Sequence, residues 1–62
     1  MSRATQQNCI DFMQEALDYN QTATTSVWDF SGNPINFIKK AEAQGLVYID
    51  KCNDDLIFSR KN

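Results

Sequence analysis

The stretch NPINFIKKAEAQGLVYIDKCNDDLIFSR, Asn33 to Arg60, decides the fold. Asn33 suits a helix N-cap, because its side-chain oxygen can accept from a helix-start N–H that has no intrahelical partner. Pro34 follows at the first helical position, where its missing N–H is no loss. No breaker interrupts Ile35 to Gln44, and Gly45 can take the left-handed conformation that ends a helix. Beyond it the pattern changes at once. Leu46-Val47-Tyr48-Ile49 and Leu56-Ile57-Phe58 are β-prone runs, separated by turn formers from Asp50 to Asp55. The stretch therefore predicts a helix over 34–44 that runs into a hairpin, with strands near 46–51 and 55–60.

Working outward toward the N-terminus, apolar residues from Ala4 to Tyr19 cover about half of a helical wheel. Cys9, Ile10, Phe12, Met13, Ala16, Leu17 and Tyr19 define that half, and they predict a helix over about 4–19 whose wide apolar side is buried. Asp11, Glu15 and Asp18 share the other side. Asn20 to Ala23 reads as a polar connection. Thr24, Thr25 and Ser26 are candidate caps, and Ser26 with Asp29 fits the capping-box spacing. A brief second helix is thus expected over about 25–31, burying Val27 and Phe30 under a lid of Trp28. Ser31-Gly32 would make the tight turn between two helices.

This order of elements resembles the winged helix-turn-helix superfamily of DNA-binding regulators. The likeness rests on Asn33-Pro34 opening the third helix, Ala41 inside it, and Gln44-Gly45-Leu46-Val47 closing it. It covers about residues 5 to 60. It implies an α+β fold of three helices followed by a two-stranded wing over about 46–60, all in one domain spanning 1–62. It also implies a small transcriptional regulator of phage or plasmid type, acting as a dimer on duplex DNA. Asn36, Lys39 and Lys40 would face the major groove. Asn33 with the helix N-terminus, and Arg60 with Lys61 in the tail, would meet phosphates.

Charge points the other way. Formal net charge is −2 and the sequence pI is about 4.7, whereas duplex binders usually carry a basic footprint. Residues 1–32 set Arg3 against four carboxylates; residues 33–62 set five bases against four. Asp50, Asp54 and Asp55 crowd the hairpin tip, where a wing would meet phosphates. The alternative is a protein-binding module that docks on or inhibits a partner. Asp11, Glu15 and Asp18 would supply one surface. With Ile49 paired near Ile57, Tyr48 and Phe58 would supply another on the outer side of the hairpin.

Composition excludes most catalytic chemistry. There is no histidine, hence no His-assisted nucleophile or His metal ligand. Cys9 and Cys52 do not form a CxxC pair; they read as a small core residue and a hairpin-tip thiol. Two glycines cannot build a phosphate-cradling loop, and the Asp50–Asp55 run lacks calcium-loop spacing. A non-enzymatic protein without metal or cofactor is expected. The first residues carry no apolar signal region and no run approaches the ~20 apolar residues that span a bilayer, so a cytoplasmic location is expected, with no membrane partner.

Overall fold

The computed structural model describes residues 5–61, in the order α1 (Gln6–Ala16), β1 (Thr22–Ser26), α2 (Pro34–Ala43), β2 (Leu46–Cys52), β3 (Asp55–Arg60). The strands form one antiparallel sheet in the order β1-β3-β2. Both helices bury their apolar residues against the same face of that sheet, in a core that includes Ile10, Met13, Phe30, Phe37, Leu56 and Phe58.

The helix–hairpin half of the chain forms as its residues dictate. The Asn33 side chain accepts from Ile35 N–H at 2.7 Å with Pro34 in the first turn, and Gly45 sits at φ 97°. Phe37 and Ala41 are fully buried. The two-residue hairpin loop places Asn53 at φ 56°, a left-handed conformation that asparagine tolerates better than most residues.

The three-helix, two-strand expectation is overturned. Residues 22–26 are a strand paired along β3, from Thr22 opposite Ser59 to Ser26 opposite Asp55, and residues 27–29 form a turn. Threonines suit the sheet, and Ala23 and Thr25 alternate inward from Thr22 and Thr24. The capping contacts do form: Ser26 N–H donates to Asp29 Oδ2 at 3.2 Å and Trp28 N–H to Ser26 Oγ at 3.2 Å. No helix follows them. Only five residues precede Gly32, among them a valine and two aromatics, too few and too poor in helix formers to outweigh the cost of nucleation. With a strand ahead of α2, there is no helix-turn-helix.

The hairpin register also differs. A bulge between Tyr48 and Asp50 sets Asp50, not Ile49, opposite Ile57. Side chains of paired residues share a face, so Leu46, Tyr48, Leu56 and Phe58 point toward the helices. Val47 and Ile57 lie half-buried on the open face, and Ile49 is exposed on the bulge. The first helix is shorter than expected. Thr5 caps it by accepting from Asn8 N–H at 3.0 Å, and after Ala16 the chain tightens into turns. A start at Ala4 lies outside the described residues. Phe12 and Tyr19, expected in the core, are 75% and 86% exposed.

Candidate functional site

Tracing each expected site residue divides the DNA set. Asn36 and Lys39 lie exposed on the solvent side of α2, opposite Phe37 and Ala41. Lys40 is exposed in the last turn, where it favours the negative end of the helix dipole. The Asn33 side-chain oxygen is committed to its capping bond. Arg60 is committed too: its guanidinium Nη2 donates to Gln14 O and to Asp18 Oδ1, each at 2.8 Å, tying the end of β3 to α1. Lys61 is exposed, with its backbone N–H on Gly45 O. Three of the six residues thus share α2, and the strongest base of the six is neutralised by Asp18 in the turn after α1.

The protein-binding set divides as well. Phe58 is 0% exposed, in edge contact with Phe37 (ring centroids 5.9 Å apart) and beside Tyr48 (5.5 Å). Tyr48 is half-buried against the core. The expected outer patch of Tyr48 and Phe58 therefore does not exist; the two residues are paired across the hairpin, on the face that the helices cover. The hairpin tip is partly engaged, since Asp54 accepts from Trp28 Nε1 at 3.0 Å and its carbonyl accepts from Val27 N–H at 2.8 Å. Trp28 is accordingly a clasp between loop and tip rather than a lid on the core.

The acidic residues of the first helix fare better. Asp11 and Glu15 are exposed on α1, and Asp18 follows in the turn, exposed but paired with Arg60. At 100° per residue Asp11 and Glu15 lie about 40° apart on the wheel, forming a solvent-facing crest. Asp11 accepts from Gln7 Nε2 at 2.8 Å; no base pairs with either carboxylate among the described residues.

Beside the crest lies a surface that the sequence reading missed. Phe12, Glu15, Ala16 and Tyr19 line a shallow, open, mostly apolar depression. Tyr19 is just past the helix, but Tyr19 N–H still bonds Ala16 O at 3.1 Å and Asn20 N–H bonds the same oxygen at 3.0 Å, which carries its ring onto the flank. The opposite flank of α1 faces α2, where Gln7 and Gln44 exchange amide hydrogen bonds at 2.7 and 2.9 Å and Gln14 donates to Gln44 O at 3.1 Å. One flank is thus tied down and the other is open. A signal was present in the sequence: a half-wheel of apolar residues is wider than the ~100° stripe one helix face needs. Phe12 and Tyr19 are its outer margin.

Cys9 is buried, with its Sγ 3.6 Å from Asp29 O. Burial pushes the thiol pKa up, with a hydrogen bond from Thr25 acting against that and the Asp29 charge adding to it. This is an inert thiol. Cys52 is exposed and free. Among the described residues no cluster of three or more His, Cys, Asp or Glu side chains is placed to hold a metal, and no helix is long and apolar enough to cross a membrane. No family model, curated protein or solved structure matches this chain.

Proposed function

We propose that this protein is a small protein-interaction module that docks a cationic partner through α1. The observation that carries this is the pairing of two highly exposed aromatics, Phe12 and Tyr19, with the Asp11 and Glu15 carboxylates, which no base neutralises among the described residues, on the outer side of α1 and the turn that follows it. Large apolar side chains left in water beside one sign of charge are what an interaction surface contributes before its partner arrives. The net charge of −2 works in the same direction.

A second reading, duplex DNA bound by α2, is favoured by Asn36, Lys39 and Lys40, all exposed and without an ion pair among the described residues. It is the weaker of the two. Two or three phosphate contacts give little affinity at physiological salt, and the crest of α1 adds repulsion.

Fluorescence anisotropy separates the readings. The probes are random duplex DNA and a synthetic amphipathic helix carrying one leucine stripe flanked by lysines, both titrated from low to physiological salt. The lysine peptide should bind at physiological salt, and Asp11→Asn/Glu15→Gln should weaken it while DNA stays unbound. Salt-sensitive DNA binding that Lys39→Ala/Lys40→Ala abolishes, with no peptide binding, would establish the second reading instead.

A further inference from the structure

The spacing of the open depression on α1 is informative. Its four lining residues are Phe12, Glu15, Ala16 and Tyr19, spaced i, i+3, i+4 and i+7, the first three on α1 and the last in the turn that Ala16 O holds against it. That set is the one that forms a hole in coiled-coil packing, where a single side chain from a facing helix inserts as a knob. Here Ala16, half-buried, makes the floor. Phe12 on α1 and Tyr19 in the turn just beyond it make the end walls. Glu15 makes the rim toward the acidic crest.

From this geometry we infer that the partner presents an α-helix, which seats an aliphatic knob in the Phe12–Glu15–Ala16–Tyr19 hole and sets a lysine or arginine against Glu15. The inference rests on the reading of α1 as an interaction surface and specifies what occupies it. A knob no larger than leucine suits a floor of one methyl group between two rings. The cation follows from the rim, because α1 carries Asp11 and Glu15 and no base. The same rim disfavours a second copy of this chain as the occupant. Two such flanks packed across a two-fold axis would bring the carboxylates of this face together, and like charges at close quarters are destabilising.

The flank is open because the rest of α1 is spoken for. Ile10, Met13 and Leu17 are in the core, and Gln7 and Gln14 are bonded to the C-terminal end of α2. A helix laid along the remaining side would leave those contacts undisturbed. It would also cover Phe12 and Tyr19, two of the most exposed large apolar side chains in the described chain.

The test uses the whole protein and three probes: the leucine/lysine helix, the same helix with glutamates for lysines, and a leucine/lysine peptide of equal composition made non-helical by prolines. Affinity is read by anisotropy, and the site by NMR shifts of the Phe12, Ala16 and Tyr19 amides. The lysine helix should bind best and shift those amides. Ala16→Leu, which fills the hole from below, should weaken binding at least tenfold; because Ala16 is half-buried against the core, the comparison is made where circular dichroism shows the variant folded. Glu15→Lys should transfer the preference to the glutamate helix, a reversal that mere loss of structure cannot produce. Equal binding of the proline-broken peptide, or indifference to Ala16→Leu while the lysine preference persists, overturns the hole but leaves a cation-docking α1. Absence of any lysine preference overturns both readings. Concentration-dependent self-association abolished by Ala16→Leu would make the occupant a second copy and overturn the cationic helix.

Discussion

Phe37→Leu probes the centre of the core. Phe37 is fully buried, stacked on Phe30 with ring centroids 4.1 Å apart at an interplanar angle of 10°, and meets the edge of Phe58 at 5.9 Å. Leucine keeps most of the apolar burial and loses the ring contacts, each worth about 0.5–1.5 kcal/mol beyond area. The expected cost is therefore about 1–3 kcal/mol. At roughly 0.05–0.15 kcal/mol per residue, a domain of this length has about 3–9 kcal/mol in total. Phe37→Leu should fold with a reduced margin, whereas Phe37→Ala, at about 3–5 kcal/mol, should leave much of the chain unfolded. Urea unfolding followed by circular dichroism reads this directly. With a slope near 1 kcal/mol/M for so small a protein, the midpoint for Phe37→Leu should fall by about 1–3 M. Ile35→Ala, on the exposed side of the same helix, should move it by less than about 0.5 M. Equal shifts for the two variants would refute the packing of α2 against the sheet through Phe37.

Two further outcomes test the turn and the buried thiol. Asn53 holds φ 56° in the hairpin loop, so Asn53→Ala should destabilise by about 1 kcal/mol while Asn53→Gly stays within a few tenths; equal losses in thermal unfolding would remove the backbone argument. Burial raises the Cys9 pKa above the ordinary thiol value. The unfolded chain therefore gives up that proton first, and the associated stability is intact below the ordinary thiol pKa and is lost as pH rises from there through the folded pKa. Comparison with Cys9→Ala in urea unfolding between neutral and alkaline pH should show a steeper alkaline decline in the wild type; parallel declines would contradict a buried, protonated Cys9.

The parts of the fold legible in the sequence are those set by local rules that nothing distant overrides. Asn33-Pro34 and Gly45 bound α2 through capping and backbone preference alone, and Ala41 and Phe37 point inward by the period of the helix. The segment from Thr22 to Phe30 was not legible for the opposite reason. Its capping contacts between Ser26 and Asp29 are real, yet Thr22 to Ser26 pairs with a strand more than twenty-five residues away. A short local signal competes poorly with a ladder of β hydrogen bonds. Which hairpin face the helices cover is likewise a tertiary choice, and it is the face of Tyr48 and Phe58. Pairing partners that distant leave no mark within a window of a few residues.

The same logic explains why the candidate site was hidden in plain view. A helical wheel states which side chains lie near one another, not how many of them the sheet can cover. A three-stranded sheet shared by two helices gives α1 room for a stripe centred on Ile10, Met13 and Leu17, whose burial sets the rotation of the helix, with the exposed Gln7–Gln44 and Arg60–Asp18 contacts beside it. Rotating α1 to bury Phe12 would break these contacts and lift Ile10 out of the core. Phe12 and Tyr19 are thus exposed because the helix is locked, not because it is loose. A surface held in place this way is pre-organised, and a partner docking there gives up less freedom on binding than it would to a mobile helix.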